Sequence, residues 1–228
     1  MTLSIIEAPS PNHDERRRPV SIVVIHYTGM PSAEAALAWL RNPESRVSSH
    51  YFIAEDGTTL RLVDEARRAW HAGAGSWREV ETDVNSASVG IELANPGHEW
   101  GYRPFPDEQI GALLPLLAGI VARHGIAPAN VIGHSDLAPT RKEDPGELFP
   151  WGRLAAEGLA APLPPPGPDP NWTDAGADMA LARYGYGLAD PVAARIAFQR
   201  RFRPARLDGA WDAECRAILL GLLRAERR

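Results

Sequence analysis

The chain has 228 residues, of which 44% are hydrophobic and 23% are charged. This composition is typical of a folded globular protein and excludes a disordered, collagen-like or coiled-coil chain, and the length predicts a large domain plus a smaller one. Acidic residues outnumber basic ones by 29 to 24, for a net charge of -5, which disfavours nucleic acid as a partner because phosphate binding requires a basic surface.

Short apolar strands alternate with helical stretches over the first 160 residues. Residues 21–26 are a β-branched run that predicts a buried strand, and residues 88–93 predict another. The other expected elements are a helix over 31–41, a hairpin of 51–54 with 59–63, a helix over 107–124 that Pro115 is expected to kink, and a strand over 131–134. This order of strands and helices predicts an α/β architecture.

A proline-rich run divides the chain. Six of the nine residues 162–170 are proline, which has no backbone N–H to donate and a fixed φ. A surface loop is the alternative, but the length of the run favours a semi-rigid linker over residues 162–172. The larger domain is therefore expected at 1–161 and a small three-helix domain at 173–228, with helices over 174–184, 191–202 and 211–224.

Cysteine usage and hydropathy bear on the cellular compartment. The single cysteine, Cys215, can form neither an intrachain disulfide nor a multi-cysteine metal site. No window approaches the ~18 apolar residues of a membrane helix, and the N-terminus lacks the basic start and apolar run of a secretory signal. We expect no membrane span and a cytoplasmic protein, with the periplasm as the alternative.

Two of the seven histidines stand at strand ends, where sites in α/β proteins concentrate. His26 ends the first strong strand and His134 ends the last one. His13, His98 and His124 lie in polar stretches or at a helix end, where exposed or capping roles are expected.

A carboxylate near His134 completes a candidate metal site. Asp144 follows His134 by ten residues, in a loop stiffened by two prolines. Two neutral imidazoles and one carboxylate are a standard ligand set for catalytic zinc, with a fourth position open for water. Asp136 is a rival ligand because it is closer in sequence, and both aspartates have the alternative of capping turns.

Two further residues carry charge where chemistry would need it. Glu92 interrupts an apolar strand and is a candidate general base, since amide hydrolysis needs a group that accepts a proton from water and delivers it to the leaving amine. An outward-facing position on an edge strand is the alternative. Lys142 is a candidate for stabilising an oxyanion, although a loop lysine is commonly just solvated.

Five segments occur in an order that resembles a known family. They are VIHYT at 24–28, VSSHYFI at 47–53, RAWHAG at 68–73, SVGIEL at 88–93 and GHSDLAPTRKEDPG at 133–146. Together they resemble the zinc-dependent N-acetylmuramoyl-L-alanine amidases, the superfamily that includes phage lysozyme-type amidases and peptidoglycan recognition proteins. The resemblance covers roughly residues 20–160 and implies a mixed central β-sheet flanked by helices.

The resemblance also implies residue roles. One zinc ion would be bound by His26, His134 and Asp144, with Glu92 as the catalytic acid/base and Lys142 stabilising the tetrahedral intermediate. Substrate contacts are expected at His50, His71, Asn95 and Ala138. Many phage and animal members have a tyrosine where this chain has Ser49, and a cysteine as third ligand, so Asp144 points to the bacterial branch.

The implied activity is hydrolysis of the amide between N-acetylmuramic acid and L-alanine in peptidoglycan or muropeptides, including 1,6-anhydro-muropeptides. The last part of the chain resembles a three-helix peptidoglycan-binding domain, through residues 184–186, 197–202 and 208–212. The alternatives are a non-catalytic peptidoglycan-binding receptor and a zinc peptidase that cleaves within the stem peptide.

Overall fold

The computed structural model describes residues 4–165 and 167–226. The first three residues of the N-terminal segment, one residue of the predicted linker and the last two residues of the predicted C-terminal domain lie outside the described residues.

A mixed six-stranded sheet forms the centre of the molecule, in the order β1-β5-β4-β7-β3-β8. Its members pair in parallel except for β4 with β5, which form the antiparallel hairpin expected from the sequence. Strands β2 and β6 form a separate antiparallel pair. The strands are β1 (Ile5–Glu7), β2 (His13–Glu15), β3 (Ile22–Tyr27), β4 (Tyr51–Ile53), β5 (Thr59–Arg61), β6 (Arg67–Ala69), β7 (Ser88–Leu93) and β8 (Val131–Gly133).

Helices cover both faces of this sheet, so the predicted mixed sheet flanked by helices is confirmed. The helices are α1 (Ala33–Arg41), α2 (Val84–Ala87), α3 (Gly97–Trp100), α4 (Asp107–His124), α5 (His134–Leu137), α6 (Trp151–Ala156), α7 (Asp174–Tyr184), α8 (Pro191–Phe202) and α9 (Ala213–Ala225), with 3-10 turns at Pro43–Ser45 and Pro128–Asn130. Helix α4 has the predicted bounds, continues through Pro115 and ends at Gly125, whose φ of 63° is left-handed.

Alternation along the central strands gives the sheet two apolar faces. On β3, Val23 and Ile25 pack in the cluster that contains α4 and α6, whereas Ile22 and Val24 pack on the opposite face. Because successive side chains of a strand point to opposite faces, His26 lies on the same face as Ile22 and Val24.

The C-terminal helices belong to that second face. Tyr184, Phe198 and Leu219 share one buried cluster with Ile22 and Ile132 of the sheet. Helices α7 and α8 have the predicted bounds, and α9 begins two residues later than expected. The three helices therefore pack on the sheet through a continuous core, and the division into two domains stays a prediction from the sequence.

Several short elements differ from the sequence-based expectation. Strands β1, β2 and β6 were not predicted, because each has three residues and is held by pairing with a distant strand. His134 was expected to end a strand, but it is the first residue of the short helix α5.

No helix in the described ranges is both long and apolar enough to cross a bilayer.

Candidate active site

Three buried side chains converge at the carboxyl ends of β3 and β8. The Nδ1 atoms of His26 and His134 are 3.0 Å apart. Asp144 places its Oδ2 atom 2.9 Å from His26 Nδ1 and 3.1 Å from His134 Nδ1. The structure thus brings together the three side chains that the sequence proposed as ligands.

Backbone contacts orient one of these rings. His134 Nε2 lies 2.9 Å from the carbonyl oxygen of Ala72. A carbonyl can only accept, so Nε2 carries the proton and Nδ1 presents its lone pair to the centre of the group. A metal-binding histidine is usually oriented in this way, by a hydrogen bond from the ring nitrogen that does not bind the metal.

The donor set fits a zinc ion. A carboxylate oxygen and two ring nitrogens approach within hydrogen-bond distance, and with both rings protonated at Nε2 each of these atoms offers a lone pair. Lone pairs at this spacing repel unless a cation lies among them. Burial and the neighbouring His134 lower the pKa of His26 to about 4, so its ring is neutral near pH 7, as a metal ligand requires.

Glu92 lies beside the three residues on strand β7. Its Oε2 atom is buried and has no hydrogen-bond partner among the described residues. Burial raises the pKa of Glu92 well above its usual value, the charge of Asp144 raises it further, and Lys142 opposes them. A carboxylate with a raised pKa that faces a cleft has the properties of a general acid/base.

Lys142 is presented by the loop that follows α5. The carbonyl oxygen of Ala138 accepts hydrogen bonds from the backbone nitrogens of Arg141 and Lys142, at 2.9 and 3.0 Å. Ala138 itself is buried. The structure therefore gives Ala138 a role in shaping this turn, while Lys142 lines the cleft together with Arg141 and Asp144.

His26, His134 and Asp144 lie at the wall of a cleft of about 420 Å³. His71 and Glu92 line it, together with two tryptophans that were not expected there from the sequence, Trp39 and Trp70. Trp39 is 49% exposed although α1 buries Ala36 and Leu40. The available signal was a tryptophan outside the apolar stripe of an amphipathic helix.

Besides Ala138, two residues expected to contact substrate lie away from the cleft surface. His50 is fully buried, and its Nδ1 accepts a hydrogen bond from Gly90 N at 2.9 Å. Asn95 is also buried and bridges Arg103 O and Gly97 N with its amide. The cleft-lining residues do not include them, so the structure gives both side chains partners within the protein.

Asp136, the rival ligand, is occupied elsewhere. It accepts hydrogen bonds from Gly133 N at 2.8 Å, Tyr186 Oη at 2.6 Å and Arg201 Nη1 at 2.8 Å. Both Asp136 and Arg201 are buried, and Arg201 also donates to Val131 O. Asp136 therefore connects the start of the loop that carries Asp144 to helix α8.

Two histidines, an aspartate and a buried glutamate at the carboxyl edge of a mixed sheet are the arrangement expected of a hydrolase that uses a bound metal ion. The chain belongs to the N-acetylmuramoyl-L-alanine amidase family, which residues 16–147 match. The predicted enzyme class is thereby confirmed, in place of the non-catalytic receptor.

Individual relatives are similar to this chain beyond the residues that match the family. The amidase AmiD of Escherichia coli K12 is 38% identical over 96% of this chain and 90% of its own length. Its structure in complex with the substrate anhydro-N-acetylmuramic acid-L-Ala-D-gamma-Glu-L-Lys has a TM-score of 0.81 at 36% identity, and covers 96% of this chain and 91% of that chain. AmpDh3 from Pseudomonas aeruginosa, in complex with anhydromuramic pentapeptide, has a TM-score of 0.75 at 30% identity, covering 92% and 93%.

Proposed function

We propose that this amidase hydrolyses the bond between the lactyl carbonyl of anhydro-N-acetylmuramic acid and the amine of L-alanine, at one zinc ion held by His26, His134 and Asp144. The observation that carries the proposal is the convergence of two Nδ1 atoms and one Oδ2 atom within 3.1 Å of each other. Beside them lies Glu92, whose buried Oε2 has no hydrogen-bond partner among the described residues. When bound, zinc supplies Lewis-acid chemistry that makes water reactive near neutral pH.

Glu92 supplies the proton transfers. Its carboxylate takes a proton from the attacking water as the new C–O bond forms, and later gives that proton to the departing nitrogen as the C–N bond breaks. Because its pKa is raised, Glu92 binds a proton more strongly than an exposed glutamate does, which suits a group that must accept a proton and return it.

Lys142 acts on the carbonyl side. As the carbonyl oxygen gains negative charge, the ammonium group of Lys142 stabilises it from the wall of the cleft. His71 lines the same cleft. His50, Asn95 and Ala138 support its walls from within, as their buried hydrogen bonds indicate.

The substrate class follows from the relatives. AmiD was solved with an anhydro-muramyl tripeptide described as its substrate, and AmpDh3 with an anhydromuramic pentapeptide. Relatives named 1,6-anhydro-N-acetylmuramyl-L-alanine amidase match 65% of this chain at about 31% identity, as in Enterobacter cloacae. We therefore propose muropeptide recycling as the role of the present enzyme.

The test is a digestion of defined substrates by the full chain loaded with zinc. Anhydro-muramyl tripeptide is compared with intact sacculi, and the products are read by mass spectrometry. Release of the complete peptide with an L-alanine N-terminus, faster from the anhydro-muropeptide, supports the proposal. Cleavage within the stem peptide assigns a peptidase, and faster release from sacculi contradicts the recycling role.

The compartment is proposed to be the cytoplasm, where imported muropeptides would be met, with the periplasm as the alternative. Fractionation of cells that express the gene from its natural locus decides between them. Recovery with a periplasmic marker enzyme would contradict the cytoplasmic assignment.

A further inference from the structure

A chain of hydrogen bonds extends from the ligand His26 into the protein. His26 Nε2 lies 3.0 Å from His71 Nδ1. The other nitrogen of His71, Nε2, lies 3.2 Å from the hydroxyl oxygen of Ser88. Ser88 Oγ in turn lies 2.6 Å from the carbonyl oxygen of Val84.

The end of this chain fixes the direction of every proton in it. The carbonyl of Val84 can only accept, so Ser88 gives it its one hydroxyl proton. Ser88 Oγ must then accept from His71 Nε2, which leaves His71 Nδ1 as the acceptor of a neutral ring. His26 therefore donates from Nε2, and its Nδ1 is left with a lone pair.

At the other side of the His26 ring, Asp144 favours the opposite tautomer. The Oδ2 atom of Asp144 lies 2.9 Å from His26 Nδ1, and a carboxylate at that distance attracts a proton to Nδ1 when no cation is present. A ring protonated there has no lone pair for a metal. The chain that ends at Val84 opposes this outcome from behind.

The sequence leaves room for the intermediate ring. His71 lies against Gly90 on β7, where an added Cβ would stand 2.5 Å from His71 Cγ. Real Cβ atoms do not approach other atoms that closely, so a side chain at this position would displace the ring. The bare backbone at residue 90 thus permits His71 to lie between His26 and Ser88.

We propose that His71 and Ser88 are positioning residues, which hold His26 in the tautomer and orientation that present Nδ1 to the metal. The inference rests on the proposed zinc site but concerns residues outside the ligand set. Losing such a partner behind a ligand typically weakens metal affinity by about 10- to 100-fold.

Imidazole ¹H–¹⁵N spectra of the full-length, zinc-free protein test the direction of these hydrogen bonds without an activity measurement. Protonated and unprotonated ring nitrogens differ widely in ¹⁵N chemical shift. The wild type is expected to carry the His26 proton on Nε2. In Ser88→Ala and His71→Leu, the proton is expected to move to Nδ1, facing Asp144. Zinc dissociation constants, from competition with a chelator, should rise about tenfold for Ser88→Ala and more for His71→Leu.

Two further variants separate positioning from general damage. His71→Asn offers an amide oxygen to His26 Nε2 and is expected to restore most of the zinc affinity lost in His71→Leu. Ser49→Ala removes another buried serine hydroxyl, one that donates to Tyr51 O at 2.9 Å, and should leave the zinc dissociation constant unchanged.

The outcomes are distinct. Wild-type zinc affinity and unchanged His26 shifts in both Ser88→Ala and His71→Leu would overturn the positioning role. An equal loss of affinity in Ser49→Ala would do the same, because the effect would then reflect packing. A wild-type protein that binds no zinc would instead contradict the proposed metal site. The spectra of the zinc-free protein would still show in which direction the hydrogen bonds from His26 to Val84 run.

Discussion

His26 and Glu92 occupy paired positions on the adjacent parallel strands β3 and β7. Paired residues of neighbouring strands point to the same face of the sheet, so the strand register alone sets a proposed ligand beside the proposed acid/base. The same face carries Ser88 and Gly90 of β7, which explains why the chemistry and its support lie on one side of the sheet.

Replacement of the proposed acid/base should separate zinc binding from turnover. Glu92→Gln keeps the size of the side chain but removes its proton transfer, a contribution of about 10²- to 10⁴-fold in rate. We expect the zinc content to stay at one ion per chain while kcat falls by that factor. A muropeptide digestion with metal analysis of the same sample checks both, and a kcat near that of the wild type would exclude Glu92 from the role.

The lysine in the cleft should affect the transition state more than substrate binding. Lys142→Met removes the charge that faces the developing oxyanion, and loss of such a donor typically costs about 10²- to 10³-fold in kcat. KM should change little by comparison. Steady-state kinetics on an anhydro-muropeptide measure this, with Lys142→Arg retaining part of the rate; a rise in KM at constant kcat would assign Lys142 to binding.

The C-terminal helices should contribute strongly to stability through Arg201. Arg201→Met leaves Asp136 buried without its ion-pair partner, and such losses cost about 3–5 kcal/mol. Urea denaturation of the full chain measures the change. Arg153→Met is the matched control because Arg153 and Asp107 form an exposed pair, for which about 0–1 kcal/mol is expected.

A similar loss of unfolding free energy in both arginine variants would show that the burial of Arg201 does not make its ion pair more important for stability than an exposed one. A loss below about 1 kcal/mol for Arg201→Met would contradict the central place given to the Asp136 pair.

Glu65 should make the fold sensitive to acid. Burial raises its pKa, but hydrogen bonds from Arg123, Tyr51 and His124 outweigh burial and lower the pKa to about 2, from 4.5. A lowered pKa in the folded state gives stability that is complete above the unfolded value and lost as pH falls toward the folded value. Between pH 5 and 2, the wild type should therefore lose free energy of unfolding relative to Glu65→Gln.

Chemical denaturation of both proteins across this range provides the comparison. Parallel curves for the wild type and Glu65→Gln would mean that these hydrogen bonds do not favour the ionised carboxylate.

Strong local patterns explain what the sequence predicted well. The β-branched runs of β3 and β7 and the apolar spacing of α4 favour their structures without help from distant residues. The local pattern around Glu92 fits an inward-facing position and an outward-facing position on an edge strand equally well. The resemblance to the family motifs was therefore needed to place Glu92 at the site. In the structure β7 is a central strand between β4 and β3.

What the sequence could not supply are contacts between distant residues. Asp136 looked like a rival ligand because it is close to His134 in sequence, and its actual partner, Arg201, lies 65 residues away. The hydrogen bonds among His26, His71 and Ser88 span three separate segments, so their proton directions follow only from the assembled site. Strand β1 is equally nonlocal, since its exposed Ile5 and Ile6 gain structure by pairing with β5.

The central claim is that His26, His134 and Asp144 bind one zinc ion. The most direct measurement is a crystal structure of the full chain grown with zinc, with diffraction data collected at the zinc absorption edge. We expect one strong anomalous peak within bonding distance of His26 Nδ1, His134 Nδ1 and Asp144 Oδ2. A peak bound elsewhere, or none at this position in zinc-loaded crystals, would contradict the account.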